Sequence, residues 1–266
     1  MIEAVERVSE SGLEDPAREP IVRMENIHKH FGGVVAIDNV SFDLHEGEVL
    51  ALVGDNGAGK STLMKVLSGA LRADAGSIYL RGRKVRIENP QDARRLGIET
   101  IYQNLALLNN LDIPANIFMG RELRASGPLG RIGLMNLRQM RGRAREMLES
   151  FDIKIGDVDR EVKDFSGGQR QMVSISRAIY FKANVLIMDE PTAALGVAET
   201  RKVYEFIRTL KRSHISIIII SHNINEVFEV ADRFMVLKTG ALVGIKSKAE
   251  TSIDDIVSMI LSGRYR

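Results

Sequence analysis

The stretch Gly54-Asp55-Asn56-Gly57-Ala58-Gly59-Lys60-Ser61 constrains this chain more than any other, because it fits G-x-x-x-x-G-K-[ST] at every fixed position. Ahead of it, Val49 to Val53 is continuously apolar; behind it, Leu63, Val66, Leu67 and Ala70 recur at helical spacing. The predicted order is therefore strand, loop, helix. Glycines in such a loop let backbone N–H groups converge on phosphate oxygens, and the following helix adds the positive end of its dipole. Lys60 is expected to reach β- and γ-phosphates and the Ser61 hydroxyl to hold Mg²⁺, with Asp55, Asn56, Ala58 and Thr62 completing the cradle.

A site of this kind needs an acidic position for the metal. The apolar run Val185-Leu186-Ile187-Met188 delivers Asp189 and Glu190 at its end, where open α/β sheets place their ligands. Asp189 fits the Mg²⁺ role through water, and Glu190 that of a general base for the attacking water. Alone, the pair could equally mark a helix start before Pro191, since acids favour helix N-termini. A phosphate loop and an acidic strand end serve small-molecule kinases, GTPases and motor-type ATPases alike. No Asn-Lys-x-Asp guanine-reading motif occurs in the chain, which argues against a GTPase.

The discriminating residues are Phe165-Ser166-Gly167-Gly168-Gln169-Arg170-Gln171, ahead of a helical pattern with Met172, Ile175 and Ile179 on one face. A capping box, with Ser166 as N-cap and Gln169 three residues on, accounts for two of them. It leaves two successive glycines unexplained where a better helix former would serve. With these residues the chain resembles the ATP-binding subunits of ABC transporters, whose signature Ser-Gly-Gly-Gln stands at Ser166, Gly167, Gly168 and Gln169. The resemblance runs from Ile21 to about Arg264. Phe31 matches the aromatic that stacks on adenine, Gln103 the glutamine linking the Mg²⁺ and γ-phosphate site to the membrane subunit, and His222 the histidine on the γ-phosphate. Taken singly, these three read as a core aromatic, a loop polar residue and a strand-end cap; in order, together, they fit the family.

What the resemblance implies is an α/β chain with a P-loop NTPase core, a mainly parallel sheet, an antiparallel β subdomain and an inserted helical subdomain. Its cofactors would be ATP and Mg²⁺. Two such subunits would sandwich two ATP molecules, each held by the phosphate loop of one and the signature of the other, with Ser166 and Gly168 on the γ-phosphate across the interface. Further partners would be integral-membrane permease subunits and, indirectly, a periplasmic sugar-binding protein. The segments Asn104-Leu105-Ala106-Leu107, Ile113 to Glu122 and Ile256 to Arg264 look like the bacterial monosaccharide importers of the ribose, xylose and fructose group. Most such subunits are fused tandem pairs, whereas a single copy is present here, so two chains are expected to pair. Other ABC importers, exporters, and soluble family members acting on DNA or ribosomes are the remaining readings. The last insert long coiled coils or carry two ATPase domains, and neither is found. Two positions depart from the family: Phe165 replaces a leucine, and Gly196 in Ala193-Ala194-Leu195-Gly196 stands where an aspartate usually communicates with the opposite site.

Composition agrees with this reading. Of 266 residues, 44% are apolar and 27% charged, as in ordinary globular chains. Lys and Arg number 37 against 35 Asp and Glu, a net charge of +2, so no bulk attraction to nucleic acid is expected. Cysteine is absent, which excludes disulfides and thiolate chemistry. The longest apolar run, Ile217 to Ile220, or Ile215 to Ile220 across Ser216, is far short of the roughly 18–20 residues of a membrane span. Residues 1–20, rich in Glu and Asp, read as a flexible acidic leader rather than a secretory signal, with one domain over 21–266 and a helical subdomain over about 90–165. The expected address is the cytoplasmic face of the bacterial inner membrane, held there peripherally by the permease.

Overall fold

The computed structural model describes residues 19–127, 131–151, 153 and 155–265. The expected acidic leader falls almost wholly on residues 1–18, which lie outside the described residues.

Among the described residues ten strands form two sheets. β1 (Val22–Phe31), β2 (Val34–Leu44), β4 (Ala75–Leu80) and β5 (Arg83–Val85) pair antiparallel in the order β2-β1-β4-β5. The turn between β4 and β5 has both Arg81 and Gly82 at positive φ, 46° and 69°. The second sheet has the order β10-β9-β3-β8-β7-β6. In it β3 (Val49–Val53), β6 (Ile98–Ile101), β7 (Val185–Asp189), β8 (Ser216–Ile220) and β9 (Arg233–Lys238) are parallel, and β10 (Ala241–Ser247) closes one edge antiparallel.

The unbroken apolar runs of β3, β7 and β8 follow from burial on both faces. Val49, Ala51 and Val53 join one core with Leu186, Met188, Ile217 and Ile219, while Leu50 and Leu52 join another with Val185, Ile187, Ile218 and Ile220. Every second residue changes sides, so alternation of polarity has no place in these strands. The core shared by Leu50 and Leu52 also takes Leu63 and Leu67 of α1 (Lys60–Leu67) and Val22, Met24 and Val40 of the antiparallel sheet.

The opposite core is covered by helices. They are α3 (Ile113–Phe118), α4 (Leu137–Ser150), α5 (Gly167–Tyr180), α6 (Val197–Arg212), α7 (Ile224–Phe228) and α8 (Ile253–Ser262). On the other side, α2 (Pro90–Arg95) packs with the first core through Ala93. Local chemistry sets their starts: Asn89 caps α2 ahead of Pro90, Asp112 caps α3, and Ser252 and Asp255 form a capping box on α8. The region expected to be helical from about residue 90 thus opens with α2 and β6, and β6 pairs with β7 at the edge of the central sheet.

Candidate nucleotide site

The phosphate loop joins β3 to α1, and its glycines act in different ways. Gly54, Gly57 and Gly59 all have positive φ, at 148°, 80° and 98°. A Cβ on Gly54 would lie 2.2 Å from the Leu237 carbonyl oxygen, and one on Gly59 would lie 2.7 Å from that of Ala36. These two are glycine because the loop is pressed against β9 and β2. Gly57 meets nothing within 4 Å and needs glycine for its backbone conformation alone. The Gly240 amide donates to the Ala58 carbonyl at 3.0 Å and the Asp38 amide to the Gly240 carbonyl at 2.8 Å, which ties the loop to the start of β10 and to β2.

Lys60, only 8% exposed, turns its Nζ back to donate to the carbonyls of Gly54 at 2.6 Å and Asp55 at 2.9 Å. Burial holds this ammonium below its ordinary pKa, against the opposing pull of Glu190, Asp55 and Asp189. Its charge thus sits inside the loop before any phosphate arrives. Ser61 is exposed at the head of α1 and Thr62 half-buried beside it, with Asn56 exposed on the loop.

β7 and β8 are the strands next after β3 across the sheet, so their C-terminal ends open on the same edge. Asp189 ends β7, and burial, followed by the neighbouring Glu190 charge, raises its carboxyl above the usual range. Glu190 adopts φ 50°, a left-handed conformation that costs a non-glycine residue about 1–3 kcal/mol. Its amide donates to the Ile220 carbonyl of β8 at 2.9 Å. That turn brings Glu190 Oε1 to 3.0 Å from Nδ1 of His222, whose side chain is 61% exposed just past β8. The phosphate loop after β3, the two later acids and the histidine therefore assemble at one sheet edge.

Phe31 ends β1 and is 47% exposed. Lys29 Nζ lies 5.5 Å from its ring centroid and is held by Asp74 at 2.7 Å. Asp74 also accepts from the His30 amide, and the Lys29 contact is the main reason its carboxyl falls to about 2. Gln103 is exposed on the loop after β6. That loop is fastened to α5, Ser174 Oγ donating to the Leu105 carbonyl and Arg177 to that of Ala106, both at 3.3 Å.

Ser166 to Gln169 lie elsewhere. The expected capping box is present: Gln169 N donates to Ser166 Oγ at 3.3 Å and Ser166 N to Gln169 Oε1 at 3.0 Å. Among the described residues, the groove beside them is lined from α5, α6 and the segment around Phe151, with no member from the phosphate loop. Sequence reasoning missed Glu199, whose side chain lies against Gly167 and Gly168; its place three residues into α6 was the available signal. It also missed Asn116, fully buried in α3, which donates to the carbonyls of Leu108, Leu111 and Asp112 and accepts from the Leu108 amide.

The donor set fits a nucleoside triphosphate with Mg²⁺. Among the described residues no cluster of three or more His, Cys, Asp or Glu could hold a metal by itself. Mg²⁺ suits this arrangement, since it is commonly held by one or two carboxylates together with substrate phosphates. Among the described residues no helix is long and apolar enough to cross a membrane.

A model of the ABC transporter family matches residues 37–193. The chain is 46% identical over 242 residues to the xylose/arabinose import ATP-binding protein of Sulfolobus acidocaldarius, covering 91% of this chain and 94% of that protein. It is 44% identical over 243 residues to a ribose import ATP-binding protein of Caldanaerobacter subterraneus, covering 91% of this chain but 48% of that relative, about half its length. Among solved structures, the ADP conformation of an ATP-binding cassette of an ABC transporter superposes with a TM-score of 0.77 at 27% identity, covering 91% of this chain and 95% of that one.

Proposed function

This chain belongs to the ABC transporter family as an ATP-binding subunit, and from that premise we propose that it energises a bacterial importer of monosaccharides of the ribose, xylose and fructose class. The observation that carries the ATPase chemistry is the convergence of Lys60, Asp189, Glu190 and His222 at the ends of three adjacent parallel strands. The sugar class rests on the likeness to pentose import subunits over nearly the whole chain.

The roles follow from position. Phe31 offers an exposed ring for adenine at the tip of the β1–β2 hairpin. Gly54 to Thr62 wrap the phosphates, with Lys60 exchanging its two carbonyl partners for phosphate oxygens. Ser61, Gln103 and, through water, Asp189 are the residues that would hold Mg²⁺, which when bound neutralises charge on the β- and γ-phosphate oxygens. Glu190, fixed by its backbone turn, orients and deprotonates the attacking water, and His222 positions the γ-phosphate beside it.

Among the described residues, the groove beside Ser166 to Gln169 takes no residue from the phosphate loop of their own chain. We assign them to the nucleotide of a second copy, so that ATP joins two subunits and hydrolysis releases them. The domain so used spans residues 21–266. Permease subunits, served by a periplasmic binding protein, would anchor the pair at the cytoplasmic face of the inner membrane and convert its opening and closing into transport. No nucleic acid enters the cycle.

The test is uptake of a panel of labelled monosaccharides in cells lacking the protein, complemented by wild type or by Lys60→Ala. One sugar restored by wild type alone supports the proposal and names the substrate; uptake that never responds for any sugar refutes the sugar assignment. In vitro, Glu190→Gln should keep ATP binding and lose about 100-fold or more in hydrolysis. Near-normal turnover would remove Glu190 from the role of base.

A further inference from the structure

We infer that in the free subunit the Glu199 carboxylate occupies the anion-binding donors of the subunit's own signature helix, and must leave them before a second copy's nucleotide can engage. The inference rests on the proposed sharing of nucleotide between two copies.

Glu199 lies in the first turn of α6, opposite the start of α5. A Cβ built on Gly168 would fall 3.1 Å from its Cβ, 3.4 Å from its Cγ and 3.5 Å from its carboxyl carbon, and one on Gly167 would fall 3.7 Å from its Oε2. The side chain therefore lies along both signature glycines. It is thereby placed beside the Ser166 hydroxyl and the Gly168 amide, the donors assigned above to the partner's γ-phosphate. Ser166 first and then the Gly168 amide hold its carboxyl below the usual range, so at neutral pH the group is an anion.

A simpler role would be that of a helix cap. Gly196 is the N-cap of α6 and has no side chain to offer, and Glu199 stands at the third helical position, where a carboxylate faces the N-cap amide. The carboxylate thus spans the N-termini of α5 and α6 and is stabilised by both dipoles. A cap on α6 needs only the Gly196 amide. Ser166 and Gly168 lie on the other helix and carry the groups that a phosphate oxygen would use.

Two anions cannot share one set of donors, so ATP-driven pairing has to displace an internal competitor. Pairing would then respond to a higher ATP concentration than the signature alone would set. The deciding experiment compares Glu190→Gln with Glu190→Gln/Glu199→Gln by sedimentation across an ATP–Mg²⁺ titration. Glutamine retains a carbonyl oxygen for the Gly196 amide while removing the charge, and equal melting temperatures would confirm that the fold is kept. The expected result is half-maximal dimer at about tenfold less ATP in the double variant. An unchanged or raised ATP requirement would overturn the inference and leave Glu199 as a cap. Absence of any ATP-dependent dimer in Glu190→Gln alone would instead overturn the two-copy reading on which it depends.

Discussion

Two glycine-bearing helix starts in this molecule look alike in sequence and differ in how the fold treats them. At the phosphate loop, Gly54 and Gly59 have positive φ and press against backbone carbonyls of neighbouring strands. At the signature, Gly167 and Gly168 begin α5, and a Cβ on either would meet first a side-chain atom, of Leu195 or Glu199. The first loop is clamped by the core and carries a buried lysine; the second is covered at Gly168 by a side chain, that of Glu199. A rigid loop suits a site that one chain completes. An open helix start suits half of a site that something else must finish.

The largest effect should come from Gly54→Ala. Its Cβ would stand 2.2 Å from the Leu237 oxygen, and backbone cannot yield as a side chain can. A loss of roughly 3 kcal/mol or more is expected, read by chemical denaturation; a stable variant would show the loop to be less clamped than the distances imply. Gly168→Ala should separate function from folding. Alanine favours a helix interior by about 1 kcal/mol over glycine, offset by the tight contact with Glu199, so stability should stay within about 1 kcal/mol of wild type. ATP hydrolysis should nevertheless fall at least about tenfold as the approach to phosphate is blocked; unimpaired hydrolysis would break the comparison. The smallest effect belongs to Gly57→Ala, which meets no neighbour and pays only for a left-handed backbone, about 1 kcal/mol. A loss as large as that of Gly54→Ala would mean that φ, and not packing, is what makes these glycines necessary.

The site was more legible than the layers around it. Asp189 and Glu190 could be placed from the apolar run before them, because a strand buried on both faces must surface somewhere and does so at its polar end. The strain at Glu190 and its pairing with His222 could not, since the two residues meet only through the alignment of β7 with β8. The place of β6 in the central sheet depends on pairing with β7, across a long sequence separation that no local pattern records. Glu199 was passed over for a related reason: as a first-turn acid it looks ordinary, and only its position against α5 makes it otherwise.

Sequence by itself determined the strand-loop-helix of the phosphate site, the capping box of the signature and the family to which both point, because each depends on residues within a few positions of one another. Tertiary structure alone decided which carbonyl each glycine must avoid, which strand ends share an edge, and whose carboxylate sits on the signature helix. Those are contacts between segments tens to hundreds of residues apart. They are selected by packing two cores on opposite faces of one sheet, which local propensity does not encode.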